Sequence, residues 1–418
     1  MTSSLLTEDR GRKFCRACNS IDLFSALDLG DLPIANELLH DDGHEVQVFP
    51  LHLRICKECG LGQVQDVVTP VRLFQDYRYL SSISDSFVSH AKEFAKKVTH
   101  DLGLTSKDLV IEIASNDGYL LQHFVELGVG VLGVEPAENV AALAKSLGIP
   151  TINDFFGLKL ARDLQLLHSE PPKIIIANNV LAHVPDIQDF VQGIAELAGP
   201  STIISIENPS LMNLVSNGQF DTIYHEHYSY LTTHSVAMLS EKYGLELFDV
   251  EKIATHGGSI RYWLRKKNSI NPISPRVAEL KSDEVANGLF EELAWKKFAN
   301  SVEETLVSFH DWLASASIDG KNVYGYGAAA KASTLINAAK IESNWIRGIA
   351  DSSSEKQGRF MPTAGIKIIS PSKLFEMNPT DVIVFPWNIS DEIVKIVSKG
   401  CSSSVRIWRA IPDFKQIY

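Results

Sequence analysis

The fold is decided by one stretch, Leu109-Val-Ile-Glu-Ile-Ala-Ser-Asn-Asp-Gly118, in which a short apolar run passes directly into polar residues and a glycine. Such a run, bounded by turn-forming residues, is typical of a buried strand, and a helical pattern follows over 118–127. The stretch therefore predicts a first strand that turns into a first helix. A turn of this kind presents backbone amides and the side chains of Asn116 and Asp117 to a ligand.

The same alternation of strand and helix continues along the chain. Further strands are predicted at 129–134, 174–177 and 202–206, with helical stretches such as 139–147 between them. A helix at 233–243 and an antiparallel pair of strands at 245–253 and 260–265 follow. Strands that alternate with helices in this way predict a parallel α/β sheet.

A second α/β series occupies the C-terminal part of the chain. Residues 283–316 predict one amphipathic helix, because apolar side chains recur at steps of three or four. These side chains are Leu289, Leu293, Phe298, Val302, Leu306, Phe309 and Leu313. Strand and helix patterns then alternate again at 322–327, 331–339, 346–350 and 381–385. We therefore expect a second Rossmann-like sheet.

Four of the five cysteines form two C-x-x-C pairs, Cys15 with Cys18 and Cys56 with Cys59. Each pair can direct two thiolates at one tetrahedral ion, so the pattern predicts a structural zinc site. A redox dithiol and unliganded thiols are the alternatives, whereas catalytic zinc is disfavoured because four thiolates leave no open position. The segment 19–55 must then loop out and rejoin, and we expect Cys401 to be buried and not a ligand.

Length and composition limit the classes of function. A chain of 418 residues suggests two to four domains. With 39 basic and 51 acidic residues, the net charge of -12 would repel nucleic acid on average, so we expect none as partner. No apolar run approaches the roughly 20 residues that cross a bilayer, and no secretory signal is evident, so we expect no membrane partner and a cytoplasmic protein.

A carboxylate closes the second predicted strand, in Gly133-Val-Glu135-Pro136. An acid at this place can accept hydrogen bonds from both ribose hydroxyls of a nucleoside. This acid and the turn after the first strand together resemble the class I methyltransferases that bind S-adenosylmethionine. The chain has E-x-A-S-N-D-G where the commoner motif is E-x-G-x-G-x-G. The alternative is an ordinary strand-to-helix turn and an incidental surface glutamate.

Two later segments extend this expected donor site. Asp154-Phe155-Phe156 is placed to contact adenine, although a lone aromatic pair is more often part of a core. Asn178-Asn179 and His183 follow the strand at 174–177, at the sheet edge where ligands bind. The cofactor-binding residues that we expect are Glu112, Ser115, Asn116, Asp117, Gly118, Glu135, Pro136, Asp154, Phe155, Asn178 and Asn179.

The densest group of protonatable side chains is Asp221-Thr-Ile-Tyr224-His225-Glu226-His227-Tyr228-Ser-Tyr230. A carboxylate beside an imidazole can orient it as a general base. Metal ligation by the H-x-H pair and an aromatic surface loop are the alternatives. If the segment is extended, both histidines share one face, so the period alone does not choose between them.

Two weaker signals point to substrate. His256-Gly-Gly-Ser259 is typical of a tight turn that brings backbone close to a ligand. Lys331 follows two glycines at a predicted helix start, where charge and amides suit a diphosphate, and Arg359 is a second candidate. The alternative for Lys331 is a solvated lysine in a loop.

A series of motifs spans nearly the whole chain in a fixed order. They are the two C-x-x-C pairs, Tyr77-Arg-Tyr79-Leu-Ser-Ser82, E-x-A-S-N-D-G, G-V-E-P, A-N-N-V-x-A-H, I-Y-H-E-H-Y-S-Y, H-G-G-S-x-R and G-Y-G-A-A-A-K-A-S-T-L-I-N. In this order they resemble the sugar C-methyltransferases of deoxysugar biosynthesis. The resemblance implies a zinc-binding domain at 1–82, an S-adenosylmethionine-binding class I methyltransferase domain at 83–270, and a helical bridge with a C-terminal Rossmann-like substrate-binding domain at 271–418.

The resemblance also implies roles for individual residues. His227 would be the general base, with Tyr224 and Glu226 beside it, His183 close to the sugar, and Tyr77 or Tyr79 near the donor or the substrate. The implied substrate-binding side chains are His225, His256, Lys331, Asn337 and Arg359.

The implied partner is a nucleotide-linked keto-deoxysugar of the dTDP or GDP type, methylated at C-3 beside a 4-keto group. We expect a monomer or a weak dimer. The main alternative is an N- or O-methyltransferase acting on a related sugar or a polyketide, which would share the donor site. A zinc-ribbon interaction protein with a degenerate methyltransferase fold is the alternative from a different class.

Overall fold

The computed structural model describes residues 13–41, 46–65, 68–74, 80–83, 85–254, 257–267, 272–362 and 365–418. The strands are β1 (Leu23–Pro33), β2 (Val48–Cys56), β3 (Gly62–Gln63), β4 (Leu109–Ile113), β5 (Gly130–Val134), β6 (Thr151–Ile152), β7 (Ile174–Asn178), β8 (Ile203–Pro209), β9 (Ser229–Tyr230), β10 (Leu245–Ile253), β11 (Ser259–Lys266), β12 (Val323–Tyr326), β13 (Ile349–Ala350), β14 (Ile368–Ile369), β15 (Asp381–Val384), β16 (Arg406–Arg409) and β17 (Lys415–Gln416).

The helices are α1 (Pro70–Phe74), α2 (Asp85–Leu102), α3 (Leu121–Glu126), α4 (Glu138–Ser146), α5 (Leu158–Leu167), α6 (Ile187–Leu197), α7 (Leu211–Ser216), α8 (Thr233–Lys242), α9 (Pro275–Ala286), α10 (Glu292–Ile318), α11 (Ala330–Ala338), α12 (Pro371–Glu376) and α13 (Ser390–Gly400). Within the described ranges, none of them is both long enough and apolar enough to span a lipid bilayer.

The chain divides into two compact units. Unit 1 contains the described parts of Met1–Leu23, Ile55–Leu211 and Tyr228–Phe290. Unit 2 contains those of Phe24–Arg54, Met212–His227 and Glu291–Tyr418. Both C-x-x-C pairs therefore belong to unit 1, whereas most of the segment between them, with most of β1 and of β2, belongs to unit 2. The prediction that this segment loops out and rejoins is confirmed.

Unit 1 is built on a seven-stranded sheet of order β10-β11-β8-β7-β4-β5-β6. Strands β4 to β8 are parallel, and β11 is antiparallel to both of its neighbours. The chain adds β5 and β6 on one side of β4, then β7 and β8 on the other, so the strand order reverses between β4 and β7. Ligands of open α/β sheets bind at the carboxyl ends of the strands at such a reversal. The predicted parallel sheet and antiparallel pair are confirmed.

The core of unit 1 lies between this sheet and helices that include α2. Phe87, Phe94 and Val98 of α2 are buried in one cluster with Phe124 and Trp263. Helix α2 was not predicted from the sequence, because only its narrow buried face is apolar. Burial of that face, rather than helix propensity, stabilises such a helix.

Unit 2 contains a six-stranded sheet of order β14-β13-β12-β15-β16-β17, parallel except for β17. Its strand order reverses between β12 and β15. Gly327, just beyond β12, has φ +91°, and a Cβ atom there would lie 2.3 Å from the ring of Pro386. Only glycine lets the two strand ends approach this closely. The predicted second Rossmann-like sheet is confirmed.

The prediction of one helix over 283–316 is wrong. Helix α9 ends at Ala286 and α10 begins at Glu292. Gly288 is left-handed, with φ +71°, and the N–H of Leu289 donates to the carbonyl of Glu284 at 3.2 Å. This pattern terminates a helix. Leu293, which was expected on the apolar face, is 64% exposed.

Candidate functional site

The four predicted cysteine ligands lie together in unit 1. Their sulfur atoms all lie within 4.8 Å of one another. The sulfur atoms of Cys15 and Cys59 are 3.5 Å apart, as are those of Cys18 and Cys56. Tetrahedral zinc with sulfur ligands at about 2.3 Å requires sulfur atoms about 3.8 Å apart, so the cluster fits this ion. Cys401 is half-buried rather than buried and lies outside the cluster.

The chemistry of the cluster also favours a cation. Hydrogen bonding with Cys56 raises the pKa of Cys15 to about 12, while hydrogen bonding with Cys15 lowers the pKa of Cys56 to about 2. Cys15 and Cys56 therefore do not both ionise near neutral pH by themselves. Zinc would compensate the charge of four thiolates and hold the two turns in place.

The turn after Cys59 requires its glycine. Gly60 is left-handed, with φ +71°, and its N–H donates to the carbonyl of Cys56 at 2.9 Å. A Cβ atom on Gly60 would lie 2.8 Å from the ring of Phe290. The hydroxyl of Thr232 donates to the Cys59 carbonyl at 3.1 Å, which ties this turn to the residues after β9.

Glu135 lies at the carboxyl end of β5 and is buried. Its two carboxylate oxygens accept from the backbone N–H groups of Asn116, at 3.0 Å, and Ala137, at 2.9 Å. Burial raises the pKa of Glu135, and the charge of Asp117 adds to this effect. Each carboxylate oxygen can still accept a further hydrogen bond. The side chain therefore retains the capacity to bind two ligand hydroxyls.

Asn116 and Asp117 have a structural task in addition to the predicted one. The side-chain oxygen of Asn116 accepts from the N–H of Ser81 at 2.9 Å, and the carboxylate of Asp117 accepts from the N–H of Ser82 at 3.2 Å. The loop after β4 thus holds the end of the Tyr77–Ser82 motif. Tyr77 and Tyr79 themselves lie outside the described residues, as does His256.

The loop after β4 has a constrained backbone. Asn116 and Gly118 are left-handed, and a Cβ atom on Gly118 would lie 2.3 Å from Cδ1 of Ile149. A Cβ atom on Gly133 of β5 would lie 2.4 Å from the hydroxyl of Ser115. Neither glycine has space for a side chain, so the loop lies close against β5 and the residues before β6.

The polar atoms at this sheet edge fit the expected donor. Among the described residues, buried atoms without a hydrogen-bond partner include Glu112 Oε2, Ser115 Oγ, Asp117 Oδ1, Asn178 Oδ1 and Asn179 Nδ2. Burial raises the pKa of Glu112 well above its usual range, and the charges of Glu135 and Asp117 add to this effect. A ligand with hydroxyl groups, an amino group and positive charge would satisfy such a site. S-adenosylmethionine has all three.

The remaining predicted residues of unit 1 differ in exposure. Pro136 and His183 are half-buried. Asp154 and Phe155 are exposed, and the carboxylate of Asp154 accepts from the N–H of Phe155 at 2.8 Å. Phe156 instead packs edge-on against Phe190, with ring centroids 5.4 Å apart.

Unit 2 contains residues 221–227 of the group of protonatable side chains, which we call the histidine segment. His227 makes two hydrogen bonds within it. Its Nδ1 lies 3.0 Å from the carbonyl oxygen of Thr222, and its Nε2 lies 3.0 Å from the hydroxyl of Tyr224. A carbonyl only accepts, so neutral His227 carries its proton on Nδ1 and leaves Nε2 as the basic atom. The Tyr224 hydroxyl then donates to Nε2. Nε2 is therefore the ring atom that can take up a proton once the Tyr224 hydroxyl donates elsewhere.

His225 is oriented differently from His227. The segment is a turn rather than an extended strand, because the N–H of His227 donates to the Tyr224 carbonyl at 2.9 Å. His225 is 2% exposed, and its Nε2 donates to the carbonyl of Phe49 at 3.2 Å. Burial lowers the pKa of His225 to about 4, so this histidine is neutral near pH 7.

Glu226 is buried in the same part of unit 2. One of its carboxylate oxygens accepts from the N–H of Asn36 at 3.2 Å. Burial raises the pKa of Glu226 to about 7. The side chain therefore exists in both protonation states near neutrality.

The predicted substrate residues of unit 2 already have partners within the protein. Lys331 lies over the ring of Trp387, at 3.9 Å from its centroid, and donates to Asn388 at 2.8 Å. The amide of Asn337 donates to the carbonyl of Ser333 in its own helix, and Arg359 donates to the carbonyl of Glu355. Burial lowers the pKa of Lys331 to about 8, which the charge of Asp221 opposes.

Several residues that make hydrogen bonds or ion pairs near these sites were not predicted from the sequence. Thr222 and Asp221 were quoted as part of the histidine segment but were given no role. Trp387 was not considered, although it follows a predicted strand at the carboxyl edge, which is the available signal. In unit 1, Glu207 and Arg261 form a buried ion pair, with its partners 2.5 Å apart, that no local pattern predicted.

Three family models match successive parts of the chain. Residues 15–74 match the model described as "Putative zinc binding domain", and residues 87–250 match "Methyltransferase domain". Residues 254–412 match "C-methyltransferase C-terminal domain". The predicted fold class is confirmed: a class I methyltransferase domain that binds S-adenosylmethionine is flanked by a zinc-binding domain and a C-terminal Rossmann-like domain. The predicted boundaries at 82 and 270 stay predictions.

Known proteins resemble the chain over different lengths. The solved structures include PH0226 protein from Pyrococcus horikoshii OT3, at 14% identity and TM-score 0.36, covering 47% of this chain and 98% of that one. Magnesium protoporphyrin IX methyltransferase (ChlM) from Synechocystis PCC 6803, solved with bound SAM, has 14% identity and TM-score 0.33, covering 47% and 89%. TM-scores this low support no inference.

A curated relative covers almost the full length. C-methyltransferase NovU from Streptomyces niveus is 33% identical over 401 residues, which are 96% of this chain and 95% of NovU. The protein therefore belongs to the sugar C-methyltransferase family that its motifs resemble, and it is an S-adenosylmethionine-dependent C-methyltransferase with an N-terminal zinc-binding domain.

Proposed function

We propose that the protein methylates C-3 of a nucleotide-diphosphate-linked 4-keto-deoxysugar and that His227 is the base that removes the C-3 proton. One observation carries the choice of base: His227 is held between the Thr222 carbonyl and the Tyr224 hydroxyl, with Nε2 as its basic atom. The substrate class rests on the motif resemblance to sugar C-methyltransferases.

The residues of the histidine segment suit proton removal from carbon. A keto group acidifies the neighbouring C–H, because the electrons of the broken bond move onto the carbonyl oxygen. As the Tyr224 hydroxyl moves its hydrogen bond from Nε2 to the carbonyl oxygen of the substrate, Nε2 of His227 takes the proton, and the Thr222 carbonyl stabilises the resulting imidazolium through Nδ1–H. Neutral hydrogen-bond donors such as the Tyr224 hydroxyl suit the developing enolate oxygen. S-adenosylmethionine supplies the electrophilic methyl group that the carbon accepts.

The donor residues of unit 1 bind and orient. We propose that Glu135 accepts from the ribose hydroxyls and that the carboxylates near it favour the positive charge of the donor. For the sugar nucleotide, Lys331 is the proposed diphosphate contact, in exchange for its bond with Asn388. The dTDP and GDP forms share this diphosphate chemistry.

Labelled methyl transfer tests the reaction class. The protein is incubated with methyl-labelled S-adenosylmethionine and a panel of dTDP- and GDP-linked 4-keto-deoxysugars, and the label is located by NMR. Label on C-3 is the expected result. Label on oxygen or nitrogen would instead establish the main alternative, an O- or N-methyltransferase on a related substrate.

Exchange of the C-3 hydrogen tests the base. With S-adenosylhomocysteine in the donor site, the substrate is followed in deuterated water. We expect His227→Ala to slow exchange by roughly 10²- to 10⁴-fold with donor binding intact. His100→Ala, which removes an exposed histidine of α2, is the matched control. Exchange by His227→Ala at the rate of the control would show that another group is the base.

A further inference from the structure

The turn at residues 219–223, just before Tyr224, has a defined geometry. The N–H of Thr222 donates to the carbonyl of Gln219 at 3.1 Å, and its hydroxyl donates to the same carbonyl at 2.7 Å. The Thr222 carbonyl accepts from Nδ1 of His227. The direction of this carbonyl therefore sets the orientation of the imidazole ring.

A buried aspartate connects this turn with the C-terminal sheet of unit 2. Asp221 is 1% exposed, and its Oδ2 accepts from Nε1 of Trp387 at 2.9 Å. Trp387 begins a short 3-10 turn at Trp387–Ile389, beyond the carboxyl end of β15. An indole N–H donates in one direction only, so the bond restricts where Asp221 can lie.

A positively charged side chain also contacts Trp387. Lys331 lies over the face of Trp387, within the range of a cation–π contact. Burial raises the pKa of Asp221 to about 7, whereas the charge of Lys331 and the Trp387 hydrogen bond act in the opposite direction. Trp387 thus contacts both the carboxylate and the cation.

A second connection lies on the other side of Thr222. The hydroxyl of Thr334, in α11, donates to the carbonyl of Ile223 at 3.2 Å. Asp221 and Ile223 flank Thr222 in the chain. The two residues that flank Thr222 are therefore held by the turn after β15 and by α11.

From these contacts we propose that Trp387, through Asp221, and Thr334, through Ile223, are positioning residues for His227. They fix the Thr222 carbonyl and hence the direction of His227 Nε2. The inference rests on the proposed role of His227 as base and adds the groups that orient it. None of the four needs to touch the reacting atoms for this role.

The chain offers a matched control for Trp387. Nε1 of Trp408 donates to Oδ1 of Asp381 at 2.7 Å, and Asp381 is fully buried. This is a second indole-to-aspartate hydrogen bond of unit 2, and it joins the adjacent strands β15 and β16. Trp387→Phe and Trp408→Phe therefore remove the same kind of bond, and only the first acts on the turn at 219–223.

The decisive experiment is C-3 hydrogen exchange at saturating substrate, with S-adenosylhomocysteine bound. We expect Trp387→Phe to lower exchange and kcat between about 10- and 100-fold, because a small misplacement of a catalytic group has effects of this size. The KM for S-adenosylmethionine should stay unchanged. Trp408→Phe should exchange like the wild type.

A spectroscopic measurement separates positioning from a merely structural role. In the wild type, ¹⁵N NMR should show His227 as the Nδ1–H tautomer, and Trp387→Phe should give a mixture of tautomers. Thr334→Val provides the independent variant if Trp387→Phe does not fold, and we expect it to have the same two effects.

Two outcomes are distinguishable. Equal exchange rates for Trp387→Phe and Trp408→Phe, with an unchanged His227 tautomer, would overturn the positioning role. If His227→Ala itself exchanges as fast as the wild type, the proposed base is wrong and the positioning inference falls with it.

Discussion

Glu135 follows the second strand of the unit 1 sheet, and Asp351 follows the second strand of the unit 2 sheet, β13. Each carboxylate accepts from the turn after the first strand of its sheet. Glu135 accepts from Asn116, and Asp351 accepts from Ala328 at 2.8 Å. Each also accepts from the N–H two residues farther along the chain. The two sheets therefore place an acid in the same position and bind it in the same way.

The surroundings of the two acids differ. Lys356 lies 3.4 Å from the carboxylate of Asp351 and also donates to the Ala328 carbonyl at 2.9 Å. The charge that acts on the pKa of Glu135 is instead that of another carboxylate, Asp117. A cation within the protein already neutralises Asp351, whereas we propose that Glu135 accepts further hydrogen bonds from a ligand. The same backbone pattern thus carries the proposed ribose contact in one sheet and an internal ion pair in the other.

Removal of the metal should have the largest effect on stability, and the cysteines that would bind it belong to unit 1. The Cys56→Ser, Cys59→Ser double variant should lose the one zinc ion per chain, and structural zinc stabilises small domains by roughly 10 kcal/mol. Metal analysis and thermal unfolding measure the loss. Cys401→Ser is the control and should retain both zinc and stability. Zinc retained by the double variant would contradict the assignment of these ligands.

Glycine substitutions should distinguish the loops after β4 and β12, where the strand order of each sheet reverses. Gly118→Ala and Gly327→Ala each place a Cβ atom 2.3 Å from a neighbour in a left-handed backbone, so each should destabilise its sheet by about 1 to 3 kcal/mol or more. Gly103→Ala has a left-handed backbone with open space and controls for backbone conformation. Only Gly118→Ala should also weaken S-adenosylmethionine binding, measured by calorimetry. A comparable loss of donor affinity in Gly327→Ala would break the comparison.

Replacement of the acids tests the comparison directly. Glu135→Ala should weaken S-adenosylmethionine binding by about 1 to 3 kcal/mol, because ligand hydroxyls lose their acceptor. Asp351→Ala should leave donor affinity unchanged and lower the melting temperature, because Lys356 loses its counter-ion. Calorimetric titration of both variants decides. Equal donor affinities for Glu135→Ala and the wild type would show that Glu135 does not bind the ribose.

The smallest expected effects are those of pH on stability. Burial raises the pKa of Asp221 in unit 2 to about 7, so its stabilising contribution is present at low pH and falls as the pH rises from about 4 to 7. Although burial alone would raise the pKa of Glu207 in unit 1, His90 and Arg261 lower it to about 2. Its contribution is present above pH 4.5 and is lost as the pH falls towards 2.

Melting temperatures across this pH range measure both contributions. Asp221→Asn should flatten the curve between about pH 4 and 7, and Glu207→Gln should flatten it between about pH 2 and 4.5. An unchanged slope in Asp221→Asn would show that this carboxyl is ionised in the folded protein at lower pH.

Local patterns predicted much of the fold. The strands at 109–113 and 174–178 are short, continuously apolar and bounded by polar residues, so their boundaries follow from the sequence within a residue or so. The two C-x-x-C pairs predicted the metal site from local sequence as well, since each turn carries two candidate ligands. The prediction of one helix over 283–316 was wrong because the apolar period continues across Gly288. The left-handed backbone of that glycine ends α9.

The candidate site was less accessible to sequence analysis. Asn116 and Asp117 were predicted to contact the donor, but no local pattern showed that they also bind the backbone of Ser81 and Ser82, 35 residues earlier. No local pattern predicted that Lys356 forms an ion pair with Asp351. In each case the missing information is which distant group supplies the hydrogen bond or the charge.

The sequence by itself determined the two α/β sheets, the four candidate metal ligands, the family and the segment that contains the proposed base, because short runs and fixed spacings carry those signals. Only the tertiary structure decided what each side chain of that segment does. His225 bonds to Phe49, 176 residues away, and Asp221 bonds to Trp387, 166 residues away. A hydrogen bond depends on direction and burial, which folding sets between groups that no sequence period relates.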